Sequence, residues 1–351
     1  MNIENNIIKT IEKYDSISFY ERIGDRLVIH SNAGKIDYKM FRKLFYECRK
    51  LGYIVRLNPI SDSSSQFAYF VYKDYSSANL NVFIPLSLSF ISFIVTLVSI
   101  YFTSYYYIYV NNFYDTILFI FGISLILLFH ELGHFVAEKL NHVKNSFPIF
   151  LPAPLYGTYG IIPRLREIFI DRIQTFDFSF IGIMFMLIPT LFFSVFGLML
   201  SKVVSIYSLT KTNYPFPLPL IFYLIFKLIL PNNYVILLHP FFIISLVGFM
   251  LTFINLSPLS QLDGGFLSIS FFGTKKIYYN FFNIIALFIF IFVQLYFLAF
   301  LGLYLLLFFR FEPFNIVSNL DRKRKIIYTV LITLWILLIP ISSYSNYSLF
   351  E

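Results

Sequence analysis

Long apolar runs are the feature that most constrains how this chain folds. Stretches such as LILLF, IIALFIFIF and YLLLFF recur beyond residue 80, and 58% of the 351 residues are apolar whereas only 13% are charged. An average soluble domain has about 45–50% apolar and about 25% charged residues, and a helix needs about 20 apolar residues to cross a bilayer. The sequence therefore excludes a soluble globular protein and predicts an integral, multi-pass membrane protein.

The membrane region is predicted to be an all-α polytopic bundle. Its apolar blocks lie near residues 82–104, 116–137, 178–201, 216–230, 234–256, 278–296, 297–311 and 326–343. We interpret them as about seven spans plus a re-entrant hairpin or loop, because some blocks are short for a crossing. Residues 214–231 are expected to stay on the outer side, with Lys227 extending to an interface. Residues 278–311 are expected to form two short spans joined near Ala299–Gly302.

The formal charge of +8 is explained by topology. With the N-terminus in the cytoplasm, 24 of the 27 Lys and Arg residues fall on the cytoplasmic side, which is the usual distribution in membrane proteins. Nucleic-acid binding is therefore not needed to account for the charge. We expect the protein to be embedded in the lipid bilayer of the cell membrane.

Residues 1–80 are predicted to form a small cytoplasmic α+β domain, followed by a membrane domain over residues 81–351. The first region holds 21 of the 46 charged residues. Apolar periodicity predicts a helix near 4–13, strands near 16–22, 26–30, 53–58 and 67–73, and a helix near 36–51. The apolar face of the second helix is expected to hold the i+4 series Ile36, Met40, Leu44 and Cys48. No catalytic motif lies here, which favours a regulatory or substrate-docking module.

The sequence HELGH at residues 130–134 ends an apolar block and carries the first chemistry. Its spacing puts His130 and His134 on one face of a helix, where both imidazoles can bind one metal ion, and Glu131 projects beside them as a potential base. A pair of histidines that merely hydrogen-bond neighbours is the alternative. That alternative is disfavoured because ionisable residues in a membrane helix cost a few kcal/mol each and are usually functional.

A catalytic zinc site needs a third protein ligand and keeps its fourth position open. Among the later ionisable residues, Asp263 alone lies in a sequence built like a broken helix, FINLSPLSQLDGGFL. Pro258 removes a backbone donor, and Gly264 and Gly265 permit a close approach or a sharp turn. Irregular backbone at membrane depth is tolerated where it is buried or lines a cavity. A capping or loop role for Asp263 is the alternative.

Two other ionisable residues are expected to have structural roles. Asp177 opens an apolar run and is predicted to be a helix N-cap. His239 lies 24 residues before Asp263, about 36 Å along a continuous helix, so a structural or gating role is favoured over metal ligation.

Together the two motifs resemble the site-2 protease family of intramembrane zinc metalloproteases. That family pairs H-E-x-x-H in one transmembrane helix with N-x-x-P-x-x-x-x-D-G in a later one, and this chain has NLSPLSQLDG at 255–264. It is most similar to the branch with archaeal and bacterial members and plant chloroplast relatives, which has a small N-terminal domain, a proline-rich segment leading to a G-T-x-G turn, and an H-P dipeptide. The counterparts here are FPIFLPAPLYGTYG at 147–160 and His239–Pro240.

The resemblance implies one Zn²⁺ ion held by His130, His134 and Asp263, with Glu131 as the general base and Asn255 near the substrate backbone. It also implies that the protein hydrolyses peptide bonds within or near a transmembrane segment of a protein substrate. The chain departs from the branch at FSFIGIM (178–184), where small residues and Gly-Pro are common and only Gly182 keeps that character.

Segment 147–166 is the second element expected to meet substrate. Its four prolines and two glycines break it too often for a helix, so a re-entrant loop or hairpin is expected. A strand edge there would accept an unwound substrate as an added strand, with Gly157, Thr158 and Gly160 at the contact. An ordinary interfacial loop is the alternative.

Two rival functions remain open. A prenyl-protein type protease also carries H-E-x-x-H in a helix but takes a later glutamate as its third ligand. The later glutamates Glu138, Glu167, Glu312 and Glu351 lie in no second ligand motif. The other rival is a transporter or a catalytically inactive scaffold that keeps polar intramembrane residues, and the complete ligand set with its base argues against it.

Overall fold

A computed structural model of the chain describes residues 3–24, 26–32, 36–60, 66–73, 85–106, 113–141, 147–153, 156–162, 168–205, 217–231, 234–308, 312–341 and 347–349. The helices are α1 (Ile3–Glu12), α2 (Tyr38–Lys50), α3 (Leu86–Tyr106), α4 (Phe113–Asn141), α5 (Arg172–Leu200), α6 (Leu220–Ile229), α7 (Pro240–Leu256), α8 (Asp263–Phe272), α9 (Lys276–Phe292), α10 (Tyr296–Phe308) and α11 (Arg322–Leu337). The strands are β1 (Ile17–Ile23), β2 (Arg26–Ser31), β3 (Tyr53–Pro59), β4 (Phe67–Lys73), β5 (Ile149–Ala153), β6 (Gly157–Ile162), β7 (Lys202–Ser205), β8 (Leu218–Pro219), β9 (Tyr234–Leu238), β10 (Pro340–Ile341) and β11 (Tyr347–Leu349). Parts of the predicted segments 147–166 and 214–231, together with Glu167 and Glu351, lie outside the described residues.

The N-terminal region has the α+β elements that the sequence predicts. Its four strands form an antiparallel sheet in the order β1-β2-β4-β3, and α1 and α2 pack on one face of it. The predicted burial of Met40 on α2 is wrong, because this side chain is half exposed. The buried residues of the helix are Phe41, Leu44, Phe45 and Cys48. A helix turns 100° per residue, so an i+4 series drifts by 40° at each step and leaves the buried face.

The N-terminal sheet is docked on the rest of the chain. Its apolar core also contains four residues from the later part of the chain: Ile170, Ile269, Ile316 and Val317. The backbone N–H of Leu57 donates to the carbonyl oxygen of Phe314 at 2.8 Å. The guanidinium of Arg42 in α2 donates to both carboxylate oxygens of Asp171, which is fully buried. The boundary near residue 80 stays a prediction.

Three helices are long and apolar enough to cross a membrane by length and composition: α3, α4 and α5. The last two have 29 residues each, about 44 Å of helix, which exceeds the roughly 30 Å hydrocarbon core. Four further apolar helices, α6, α7, α9 and α10, have 10–17 residues. Length alone therefore identifies three of the seven expected spans.

Two predicted segment boundaries are wrong. Block 234–256 starts as strand β9, and only from Pro240 is it helical. The break in 278–311 lies at Val293–Leu295 rather than at Ala299–Gly302, and Gln294 has the left-handed φ of 62° there. Gly302 instead lies inside α10, where a Cβ would come within 3.0 Å of Leu259. The glycine therefore serves helix packing and makes no turn.

The predicted N-cap role of Asp177 is also wrong. Helix α5 begins more than a turn earlier, because the carboxylate of Asp171 accepts hydrogen bonds from the backbone N–H groups of Ile173 (3.0 Å) and Gln174 (2.9 Å). Asp177 therefore lies inside the helix. Its two carboxylate oxygens accept from Nε and Nη2 of Arg324, both at 2.7 Å, and this ion pair joins α5 to α11.

Candidate metal centre

Helix α4 supplies the two histidines, and both are fully buried. The i, i+4 spacing turns their rings toward the same side, with ring centroids 4.6 Å apart. The Nε2 atoms of His130 and His134 lie 3.1 Å from each other. The helix thus presents two nitrogen ligands that face one point.

Asp263 reaches the same point from a distant part of the sequence. Helix α7 ends at Leu256, an irregular loop follows over Ser257–Leu262, and Asp263 is the first residue of α8. Its Oδ2 atom lies 2.9 Å from Nε2 of His130 and 3.5 Å from Nε2 of His134. The carboxylate is 1% exposed.

The two glycines after Asp263 let α8 lie against the loop. A Cβ on Gly264 would lie 2.1 Å from the carbonyl oxygen of Leu256, and one on Gly265 would lie 2.1 Å from the carbonyl oxygen of Leu259. Neither glycine has a left-handed φ, so close approach rather than a sharp turn is their structural role. Pro258 lies within the loop and accounts for one missing donor.

The three ligand atoms lie close enough together to share one zinc ion. Ligands about 2.0–2.2 Å from a tetrahedral zinc lie roughly 3.3–3.5 Å from one another, and the observed separations run from 2.9 to 3.5 Å. The three atoms all lie within 4.8 Å of one another, and we call them the ligand triangle. His130 Nδ1 and Asp263 Oδ1 are buried without a hydrogen-bond partner among the described residues. A cation in the triangle would compensate this buried polar cluster.

Glu131 lies beside the triangle but is not part of it. Its Oε2 atom is buried and accepts no hydrogen bond within the described part of the chain. A carboxylate oxygen without a partner is available to accept a proton from a water molecule.

Helix α5 packs directly on the histidines through small residues. A Cβ on Gly182 would lie 2.5 Å from Cε1 of His134, and one on Gly133 would lie 2.8 Å from the carbonyl oxygen of Ile181. Gly182 on α5 and Gly133 on α4 together let α5 lie against the centre. The ring of Phe178 stacks on His134 at 4.5 Å and 25°. This contact was not predicted from the sequence, where its one signal is the aromatic residue in the departure FSFIGIM.

Segment 147–166 forms a β-hairpin in its described part. Strands β5 and β6 pair antiparallel, and Gly157 and Gly160 have left-handed φ values of 80° and 103°. The hydroxyl of Thr158 donates to the carbonyl oxygen of Leu151 (2.9 Å) and accepts from the N–H of Gly160 (2.9 Å). A Cβ on Gly160 would lie 3.5 Å from Nδ2 of Asn255. The hairpin therefore comes next to the helix that leads to Asp263.

Within the described structure, the other ionisable residues considered above contribute no atom to the ligand triangle. His239 caps α7, and its Nδ1 accepts from the N–H of Phe241 at 3.3 Å, which agrees with a structural role. Lys227 lies in the last turn of α6, 5.9 Å from the ring centroid of Tyr223. Glu138 and Glu312 are not among the three residues whose ligand atoms converge.

Comparisons with known proteins agree with this site. The sequence model of peptidase family M50 matches residues 118–297, just over half of the chain. A protein of Oryza sativa subsp. japonica named "Probable zinc metalloprotease EGY1, chloroplastic" is 33% identical over 153 residues, which are 41% of this chain and 26% of that protein. The protein of the same name from Arabidopsis thaliana is 44% identical over 62 residues, 18% of this chain and 11% of that protein. The matched part is thus about a quarter or less of each relative's length. No solved structure matches the chain.

Proposed function

The chain belongs to peptidase family M50, and from that premise we propose that it is an intramembrane zinc metalloprotease of the site-2 protease type. The observation that carries the proposal is the buried triangle of His130, His134 and Asp263 with the unpartnered carboxylate of Glu131 beside it. Its proposed reaction is hydrolysis of a peptide bond within or near a transmembrane segment of a protein substrate.

The proposed chemistry assigns each residue one task. Zinc bound in the triangle would act as a Lewis acid on the scissile carbonyl and would make water more acidic. Glu131 accepts a proton from the water whose oxygen adds to the carbonyl carbon, and it donates that proton to the leaving amine nitrogen as the C–N bond breaks. His130, His134 and Asp263 hold their positions because they are buried and packed by α5 and α8.

We propose that the substrate binds as an extended strand along β6. The outer edge of β5 is already used by α3, since Ser92 Oγ accepts from the N–H of Phe150 (3.2 Å) and Ser99 Oγ donates to the carbonyl oxygen of Ala153 (3.0 Å). In the described structure no strand pairs with the other edge of β6. Gly157, Thr158 and Gly160 would contact the substrate there, with Asn255 near its backbone.

A cross-linking experiment tests this strand. Tyr159 in β6 is partly exposed, whereas Ile161 is 2% exposed and packs in the core, so Tyr159 is the better site for a photo-reactive residue. Cross-links to a bound substrate are expected from position 159. An equivalent probe at the exposed Tyr304 on α10 serves as the control. Cross-links from 304 but none from 159 would exclude β6 as the substrate strand.

The proposed protein crosses the cell membrane about seven times. Its N-terminal domain is proposed to lie in the cytoplasm. Strand β7 directly follows α5, β9 directly precedes α7, and these two strands pair. Ser205 at the end of β7 is paired with Tyr234 at the start of β9, so these two described residues lie at the same side, which supports an outer, non-crossing position for α6. Strand β8, directly before α6, pairs with β10, which follows the end of α11 opposite its basic first turn. In a protein lacking Cys48, Lys202→Cys should react with an impermeant thiol reagent from outside and Lys139→Cys from inside only.

The activity is tested with the purified full chain, a membrane-embedded reporter peptide and a zinc assay. Glu131→Gln should keep zinc and lose about 100-fold or more in cleavage rate. Asp263→Ala should lose zinc and cleavage together. Glu138→Gln, on the same helix outside the motif, is the matched control and should cleave like the wild type. Wild-type cleavage by Glu131→Gln would contradict the assigned base, and a zinc-free, inert wild-type chain would favour a scaffold.

A further inference from the structure

We propose that Asn283 on α9 is a positioning residue for the metal centre, because its side chain holds the loop that carries Asp263. The inference rests on the proposed function, since it assumes that Asp263 is a zinc ligand. Asn283 belongs to neither sequence motif and lies 20 residues after Asp263. It touches no ligand atom, so its effect on the centre would pass through the loop backbone.

The loop Ser257–Leu262 needs outside support. It interrupts the helical hydrogen bonds between α7 and α8, and Gln261 has the left-handed φ of 68°, which is rare for a residue with a side chain. Near its ends the loop forms two backbone hydrogen bonds between residues three apart in sequence. The N–H of Ser257 donates to the carbonyl oxygen of Ile254 and the N–H of Leu262 to that of Leu259, both at 3.1 Å. A buried backbone group between them requires a partner from elsewhere.

Asn283 supplies that partner. Its side-chain oxygen Oδ1 accepts a hydrogen bond from the backbone N–H of Ser260 at 2.9 Å, and its side chain is fully buried. Its Nδ2 group donates to the carbonyl oxygen of Tyr279, one turn earlier in α9, at 2.8 Å. The second bond fixes the orientation of the amide, so that the oxygen faces the loop.

The position of Ser260 affects the position of the metal ligand Asp263. Ser260 lies three residues before Asp263, and the same stretch of backbone presses on α8: a Cβ on Gly265 would lie 3.1 Å from Cα of Ser260. A shift of Ser260 therefore moves the first turn of α8, which contains Asp263. Zinc–ligand distances in metal sites vary by only about 0.2 Å, so a small shift of a ligand weakens binding. Removal of residues that orient a ligand typically weakens metal affinity about 10–100-fold.

The test measures the zinc dissociation constant of the purified full chain by competition with a chelator of known affinity. Asn283→Leu keeps the branched shape of the side chain and removes the acceptor, and its zinc dissociation constant should rise about 10–100-fold. Asn283→Asp retains an oxygen that can accept from the Ser260 N–H in either ionisation state and should stay within about threefold of the wild type. If Asn283→Leu does not fold, Asn283→Ser removes the amide with a smaller disturbance and gives the same readout.

The chain offers a matched control in Asn315. It is also fully buried, and its Oδ1 accepts from the backbone N–H groups of Val317 (3.0 Å) and Ser318 (2.9 Å), in a loop without a metal ligand. Asn315→Leu should lower the melting temperature but leave the zinc dissociation constant unchanged.

Three outcomes would overturn the inference: wild-type zinc affinity in Asn283→Leu, equal loss in Asn283→Leu and Asn283→Asp, or equal loss in Asn283→Leu and Asn315→Leu. A wild-type chain that binds no zinc would instead refute the proposed function itself. The two failures are therefore distinguishable in one assay.

Discussion

Replacing Gly182 with alanine should displace a metal ligand without changing any polar group. The new Cβ would lie 2.5 Å from Cε1 and 2.8 Å from Nδ1 and Nε2 of His134, whereas ordinary carbon contacts begin near 3.4 Å. Relief of the clash requires a movement of about 0.9 Å by the ring or by α5. That movement is several times the roughly 0.2 Å that zinc–ligand distances tolerate.

The expected magnitude follows from the cost of overpacking. Insertion of one methyl group into a tight contact costs about 1–3 kcal/mol, and 1.4 kcal/mol corresponds to a factor of ten in a dissociation constant. Zinc binding by Gly182→Ala should therefore weaken roughly 5–150-fold, and peptide cleavage should fall with zinc occupancy. Competition with a chelator and the cleavage rate at saturating and limiting zinc measure the two effects.

Gly122→Ala is the control on the partner helix α4. Its Cβ would lie 2.7 Å from Cδ1 of Ile244, which is the far end of an aliphatic side chain away from the ligands. This variant should melt at a lower temperature and keep its zinc affinity. If Gly182→Ala bound zinc like the wild type while both variants were similarly destabilised, the argued coupling between α5 and His134 would be refuted.

Three further predictions concern stability and accessibility. Burial raises the pKa of the Cys48 thiol from 9.0 to about 12, so iodoacetamide should label it at pH 8.5 only after unfolding, and rapid labelling of the native protein would contradict its burial. Because the folded-state pKa is the higher one, the stability that this neutral thiol contributes is present below about pH 9 and is lost as the pH rises toward 12. Arg42→Met leaves the buried Asp171 with its two helix N–H donors but no cation, and should cost about 1–3 kcal/mol, measured as a lower melting temperature; an unchanged melting temperature would mean that the ion pair does not hold the N-terminal sheet. Arg324→Met breaks the bidentate pair with Asp177 and should loosen α11, seen as faster amide exchange near Tyr328, whereas unchanged exchange would show that packing alone holds this helix.

The elements of the N-terminal sheet and the chemistry of the two motifs were predictable because both depend on local geometry. Strand alternation has a period of two and helix burial a period of 3.6, and neither requires knowledge of a neighbour. The i, i+4 spacing of His130 and His134 turns both rings to one side in any helix. The structure changed details at the boundaries, such as the exposed Met40, where the drift of an i+4 series outweighs the apolar pattern.

The predicted N-cap of α5 and the predicted break between α9 and α10 were wrong because more than one nearby residue is suited to each role. Asp171 and Asp177 are both carboxylates near the start of an apolar run, and only the hydrogen bonds to Ile173 and Gln174 show which one caps α5. The chain turns at Gln294 rather than at the nearby Gly302 because the glycine is needed for a contact with Leu259.

The sequence by itself determined which residues could bind a metal and which segments are apolar enough for a membrane. Only the tertiary structure decided that Asp263 meets His130 across 133 residues of chain, that α5 touches the centre through Gly182, and that Asn283 supports the ligand loop. The physical reason is that in a membrane helix the face toward lipid is as apolar as the face toward protein: in α4, Leu127 is buried and Leu128 is half exposed. Hydrophobic periodicity then carries no information on helix rotation, and close contacts of small residues and hydrogen bonds between distant segments set it instead.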